Sequence, residues 1–114
     1  TGALIAFCCE AGAILGHAER ERRLALKGFA HDFGLAFQLA DDLLDLEGSA
    51  EQTGKAVGKD AAAGKATLVS LMGAEAARQQ ARLLADQAAR HLDVFGARAD
   101  LLRALSEFAI VRNS

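Results

Sequence analysis

Three carboxylates stand within five residues of this 114-residue chain, at Asp41, Asp42 and Asp45. Carboxylates this close repel one another, and removal from water strengthens the repulsion, so the cluster costs stability unless a cation neutralises it. Magnesium is a hard cation that prefers oxygen ligands and typically takes one or two carboxylates together with water and substrate phosphates. The spacing therefore predicts a magnesium site, and the alternative is a solvated acidic end of a helix.

The segment that carries these aspartates is predicted to be a helix from about Glu19 to Glu47. Phe29, Phe33 and Phe37 recur at four-residue spacing and predict an apolar ridge. At about 100° per residue, five polar residues and one glycine of this helix fall within a single arc of about 100°: His31, Gly34, Gln38, Asp41, Asp42 and Asp45. We expect a buried central helix with one polar stripe, on which Gly34 leaves room for a ligand.

A glycine-rich loop with lysines is predicted to follow this helix, from Gly48 to Gly64. Lys55 lies in the loop and Lys65 directly after it. Lysine is a compact point charge that suits phosphate oxygens. Carboxylates on one side and lysines on a nearby loop are what a magnesium–diphosphate complex requires. The alternative is that each lysine only makes the loop more soluble.

Three further helical regions are predicted around this centre. The first runs from about Thr1 to His17, and its small residues allow close approach of a neighbour, so we expect it to be buried between other helices. The second runs from about Thr67 to Phe95, with an interruption near Gly73 and a glycine cap at Gly96. The last runs from about Ala99 to Arg112. Because the chain also contains no proline, we predict an all-α fold.

Composition and charge argue against several classes of partner. The net charge is −2 and the only aromatic residues are six phenylalanines, so we expect no nucleic acid. The apolar run from Gly2 to Gly16 is interrupted by Glu10 and is too short to span a bilayer, so we expect no membrane insertion. Cys8 and Cys9 are adjacent and cannot staple a fold, which predicts buried thiols of a cytoplasmic protein.

The run GLAFQLADDLLD from Gly34 to Asp45 resembles the second aspartate-rich motif of the trans-isoprenyl diphosphate synthases. That motif is G-x-x-F-Q-x-x-D-D-x-x-D, and every fixed position is present. The runs TGK at Thr53–Lys55 and GKAT at Gly64–Thr67 also match in order and spacing. Thr1 and Gly2 resemble the remainder of the family's Lys-Thr-Gly motif. The run IVRN from Ile110 resembles the tail of short-chain bacterial farnesyl enzymes, so the resemblance covers essentially the whole chain.

This resemblance implies the all-α isoprenoid synthase fold and a magnesium-dependent prenyltransferase. Such an enzyme ionises an allylic diphosphate, either dimethylallyl or geranyl diphosphate, and the resulting cation is attacked by the double bond of isopentenyl diphosphate. Proton loss then gives farnesyl diphosphate. Three magnesium ions are expected in a complete site, one of them held mainly by this chain. A geranylgeranyl or longer-chain synthase, or a non-catalytic subunit of a heteromeric synthase, remains open as an alternative.

The resemblance also implies roles for individual residues. Asp41 would be the closest metal ligand, and Asp42 and Asp45 would support it directly or through water. His31 is left as a structural residue.

Substrate contacts follow from the same resemblance. Lys55 and Lys65 would contact the allylic diphosphate, with Lys55 also counted among the catalytic residues. Thr1 and Gln38 would lie near the reacting carbon, where their dipoles can stabilise the cation. Arg112 supplies the basic charge of the tail.

We expect residues 1–114 to be the C-terminal portion of a polyprenyl synthetase domain, because such synthases are more than twice as long. The first aspartate-rich motif would lie before Thr1. The chain alone would then be inactive and would expose apolar surface that the remaining helices cover. The full-length protein is expected to form a homodimer.

Overall fold

The computed structural model describes residues 1–53 and 68–111, and every regular element in them is helical. In chain order these are α1 (Gly2–Leu15), α2 (Arg20–Thr53), α3 (Leu68–Met72), α4 (Ala74–His91), a 3₁₀ segment (Asp93–Ala99) and α5 (Asp100–Val111). The all-α prediction is confirmed. Within the described ranges, no helix has both the length and the hydropathy needed to cross a membrane.

Helix α2 is the central element, as its apolar ridge predicts. It packs against α1 on one side and α4 on another, and α3 and α5 also contact it. Phe29 and Phe33 are buried with stacked rings whose centroids are 5.4 Å apart, and Phe37 meets Phe33 edge-on at 6.2 Å. These phenylalanines pack with Leu92 and Ala88 of the α4 region, and so fix how α2 and α4 are paired.

The predicted end of this helix at Glu47 is wrong, because α2 continues to Thr53. Gly48 was expected to begin a loop. A single glycine makes a helix interior less favourable than alanine does by about 1 kcal/mol, which weakens a helix without forbidding it. The remainder of the predicted loop, with Lys55, lies outside the described residues, as do Lys65 and Arg112.

Helix α1 was predicted to be buried between other helices, but it is largely exposed. Ala13 is its buried residue, whereas its large apolar side chains are well exposed: Leu4, Phe7, Ile14 and Leu15. The reason is that α1 packs chiefly on α2, so only one of its sides is covered. Cys8 is likewise exposed, so the prediction of two buried thiols is wrong for Cys8. The sequence analysis also expected that this chain exposes apolar surface, and these side chains do so.

Two glycines shape the second half of the chain, and one of them differs from its predicted role. Gly73 adopts a φ of 90° and separates α3 from α4, as predicted. Gly96 does not cap α4, because α4 already ends at His91. It lies inside the 3₁₀ segment with a φ of 61°, a left-handed conformation that favours glycine, and turns the chain toward α5.

Candidate metal centre on helix α2

The aspartates are positioned by the apolar side of α2. Ala36, Leu39 and Leu43 are buried against Val69 of α3 and against α4. With about 100° between successive residues, the three aspartates fall on the side of the helix opposite these anchors. Burial of the apolar positions therefore presents the carboxylates as a group, away from the core.

The structure brings the three predicted metal ligands together. One carboxylate oxygen from each of Asp41, Asp42 and Asp45 lies within 4.8 Å of the others. Asp41 and Asp42 are half-buried and Asp45 is exposed. A set of closely spaced carboxylate oxygens open to solvent on one side fits a hard divalent cation that also keeps water and phosphate ligands. The residues present are thus chemically suited to Mg²⁺.

Gln38 is tied to this cluster by a direct hydrogen bond. Its side-chain amide donates from Nε2 to Oδ1 of Asp42 over 3.1 Å, one helical turn away. The amide thereby holds one carboxylate of the cluster in place. Among residues 1–53 and 68–111, no hydrogen bond reaches its own carbonyl oxygen, the negative end of the amide dipole.

The beginning of α1 meets α2 at Gly34, one turn before Gln38. A Cβ at Gly34 would lie 3.3 Å from the Cα of Gly2. The expectation that Gly34 leaves room for a ligand is therefore wrong, since the backbone of α1 takes that room. Thr1 directly precedes Gly2 as the N-cap of α1, and its side chain makes no capping hydrogen bond to that helix. His31 lies exposed two turns before Gln38.

The sequence analysis missed a second carboxylate on α2, at Asp32. It is 6% exposed, and its Oδ2 lies 2.9 Å from Nε2 of His91 on α4. Gln87 Nε2 reaches the same oxygen at 3.5 Å. A Cβ at Gly28 would lie 2.7 Å from the His91 ring, so the glycine makes space for this pairing. The sequence did contain a signal for this pairing, because Asp32 directly precedes Phe33 on the ridge of phenylalanines. A carboxylate buried there without a partner would lower the stability of the fold.

The chain has close relatives among known proteins. The sequence model of the polyprenyl synthetase family matches residues 1–101. The chain is 42% identical over 98% of its length to a dimethylallyltranstransferase of Fischerella ambigua. It is 38% identical over 99% of its length to a farnesyl diphosphate synthase of Bacillus subtilis, and 37% identical over 100% to a geranylgeranyl diphosphate synthase of Cyanophora paradoxa.

A solved structure supports the same assignment. The crystal structure of an FPP/GFPP synthase from Zymomonas mobilis, in its apo form, superposes with a TM-score of 0.78 and 50% identity over 96% of this chain. The chain spans 34% of that structure, and between 32% and 38% of the three relatives. It thus corresponds to about a third of their length. The chain belongs to the polyprenyl synthetase family.

Proposed function

We propose that the protein carrying this chain is a trans-prenyltransferase, which condenses an allylic diphosphate with isopentenyl diphosphate to form farnesyl diphosphate. The observation that carries the proposal is the set of three aspartates on one face of α2, with carboxylate oxygens within 4.8 Å of one another. Its context is a chain of the polyprenyl synthetase family. A cluster that costs stability in the absence of a cation is explained if it binds a metal–diphosphate complex.

The aspartates would hold Mg²⁺, with Asp41 as the closest ligand and Asp42 and Asp45 in support. When bound, Mg²⁺ would stabilise the negative charge that develops on the departing diphosphate. Three ions per complete site are proposed, one of them held mainly by this chain.

The chain's own residues would orient the reacting groups. Gln38 holds Asp42 through its amide, and its carbonyl dipole would stabilise a developing cation. Thr1 would add a hydroxyl dipole beside it. Lys55 and Lys65 would bind the oxygens of the allylic diphosphate, and Arg112 would add charge from the tail.

Farnesyl diphosphate is proposed as the product because two relatives that match 99% and 85% of this chain are named farnesyl diphosphate synthase. They come from Bacillus subtilis and Geobacillus stearothermophilus, at 38% and 40% identity. A geranylgeranyl product is the second candidate, since a relative named for that product is 37% identical. Product analysis distinguishes them: a fifteen-carbon alcohol after dephosphorylation supports the first, and a twenty-carbon alcohol supports the second.

A non-catalytic subunit of a heteromeric synthase is the alternative from a different class. The clustered aspartates and the Gln38–Asp42 hydrogen bond favour catalysis, because a subunit without chemistry has no use for a crowded acidic cluster. For the whole protein we propose a homodimer in the cytoplasm. Light scattering of the purified protein, together with cell fractionation, would test both.

The direct test is turnover of geranyl and isopentenyl diphosphates by the full protein. We expect product formation with magnesium, loss of activity with a chelator, and recovery when magnesium is restored. Residues 1–114 alone are expected to be inactive. Absence of turnover by the full protein would contradict the catalytic proposal and favour the subunit alternative, whereas turnover by the short chain would contradict the inactivity of the segment.

A further inference from the structure

A second candidate site lies at the far end of α2 from the aspartates. A pocket of about 380 Å³ opens between the α1–α2 connection and the 3₁₀ segment, lined by Gly16, His17, Ala18, Arg22, Phe95 and Arg98. At 1.5 Å rise per residue, Arg22 is about 28 Å along α2 from Asp41. The pocket is therefore separate from the metal centre, and nothing in the proposed function uses it.

The pocket is lined by basic side chains. Two arginines and a histidine face it, and no carboxylate is among its described lining residues. Arg22 contacts Glu19 at 3.7 Å, but both side chains are largely exposed, so this ion pair is weak and gives way to a stronger anion. Arg98 has no ion-pair or hydrogen-bond partner among residues 1–53 and 68–111.

One wall of the pocket is built by the end of α1. His17 takes a φ of 56°, a left-handed conformation that is uncommon outside glycine and is retained only where the surroundings enforce it. The turn is closed by backbone hydrogen bonds: the N–H groups of Gly16, His17 and Ala18 donate to carbonyls of the last turns of α1, at 2.9 to 3.1 Å. Those carbonyls, which would otherwise repel an anion, are thereby satisfied.

The opposite wall is held in place by Arg103. Its guanidinium donates to the carbonyl of Gly96 at 2.8 Å and to that of Leu92 at 3.1 Å, and so braces both ends of the turn that carries Phe95. Phe95 is half-buried against the core cluster of Phe29 and Leu92. The backbone that carries Phe95 is thus held in place, which reduces the entropy lost when a ligand binds.

The start of α2 places Arg22 at the pocket. This helix begins at Arg20, and Arg22 lies in its first turn. Glu21 in the same turn offsets the positive end of the helix macrodipole, so the charge that faces the pocket is that of the arginines. Two arginines, a histidine and an aromatic wall thus converge on one cavity, whose volume falls in the range of small-ligand sites.

We propose that this pocket binds a small phosphate-bearing molecule, with its phosphate oxygens on Arg22 and Arg98 and its apolar or planar portion against Phe95. Guanidinium groups bind phosphate through paired charge-assisted hydrogen bonds, which accounts for arginine rather than lysine at these positions. His17 adds a third donor at the rim.

Calorimetric titration of the full protein with inorganic phosphate, in the presence of a chelator to silence the metal centre, tests the proposal. We expect saturable binding that weakens as salt is added. Arg98→Ala and Arg22→Ala should each lower the affinity about fivefold or more, because each removes a charge-assisted contact. The matched control Arg90→Ala, an exposed arginine of α4, should leave it unchanged.

The aromatic wall is tested with a second probe. Phenyl phosphate should bind more tightly than inorganic phosphate, and Phe95→Leu should reduce that preference while the melting curve stays cooperative. Absence of saturable binding, or an affinity that Arg98→Ala leaves unchanged, would overturn the proposal. So would binding that Asp41→Ala abolishes, since the anion would then occupy the metal centre.

Discussion

Helix α2 carries aspartates in two opposite situations. Asp32 is 6% exposed and shares one oxygen with His91 and Gln87 of the neighbouring helix. Asp41, Asp42 and Asp45 lie beside one another on the open face, with their carboxylate oxygens within 4.8 Å. One carboxylate is buried against a neighbouring helix, whereas the other three are crowded together on the solvent-facing side of α2.

The difference separates stability from function within a single helix. Removing the buried carboxylate leaves partners without a bond and loosens the α2–α4 contact. Removing Asp45, the exposed carboxylate of the cluster, relieves repulsion and costs the fold little or nothing. A residue whose loss does not harm the fold but abolishes activity is the expected behaviour of a functional group.

The largest expected effect is on catalysis by the full protein. Asp41→Ala should lower kcat by about a hundredfold or more, because it removes the proposed closest ligand of the metal that stabilises the leaving group. Its melting temperature should stay the same or rise. The matched control is Asp86→Ala, an exposed aspartate of α4 paired with Arg82 at 3.9 Å, which should retain activity. Full activity of Asp41→Ala would remove the metal assignment.

The next largest effect concerns the buried carboxylate. Asp32→Ala should lower the free energy of unfolding by about 1–3 kcal/mol, because His91 and Gln87 lose their shared acceptor. Asp45→Ala is the comparison variant on the same helix and should change stability by less than about 0.5 kcal/mol. Urea denaturation measures both. Equal losses in the two variants would contradict the distinction between the two regions.

Gly28 gives a third measure of the α2–α4 contact. Gly28→Ala places a Cβ 2.7 Å from the His91 ring, so the ring must move and its bond to Asp32 is disturbed. We expect a loss of about 1–2 kcal/mol. Gly12→Ala, on α1, meets nothing within 4 Å and should instead stabilise by about 0.5–1 kcal/mol through helix propensity. Thermal unfolding measures both changes. If the two substitutions both raised or both lowered the melting temperature, the packing of Gly28 against His91 would be contradicted.

Local pattern predicted the helices better than it predicted the contacts between them. The phenylalanine ridge and the aspartate spacing are properties of one helix, so α2 and its acidic face could be predicted from the sequence. The bond between Asp32 and His91 joins residues 59 positions apart, and no local pattern specifies it. Gly34 shows the same limit: its place on the polar stripe was correct, but the nearby backbone of Gly2 decides what fills the space beside it.

The errors at helix ends have a related cause. Gly48 and Gly96 were both interpreted as helix terminators from residue type alone. The backbone continues as a helix through Gly48. Gly96 instead lies in a turn, and Arg103, seven residues later, donates a hydrogen bond to the Gly96 carbonyl. A glycine permits several backbone conformations, and the tertiary contacts choose among them.

The smallest expected effect belongs to an exposed carboxylate that has a partner. A hydrogen bond from Arg82 holds the pKa of Glu107 below its ordinary value. The pair therefore adds stability above the ordinary glutamate pKa, which is lost as the pH falls through the lowered pKa. Because both side chains are largely exposed, Glu107→Gln should remove less than about 1 kcal/mol at neutral pH. The free energy of unfolding should differ less between pH 7 and pH 3 in the variant than in the wild type. An equal difference in the two proteins would contradict this account.

The most direct test of the central claim is the melting temperature of the full protein with inorganic diphosphate, measured with and without magnesium. Ligands that bind only the folded state stabilise it by mass action, by about 2.7 kcal/mol at a hundred times the Kd. We predict that magnesium adds several degrees to the melting temperature of the wild type and adds little to that of Asp41→Ala. If magnesium does not raise the melting temperature of the wild type, or raises that of both proteins equally, the assignment of Asp41, Asp42 and Asp45 as the metal site is contradicted.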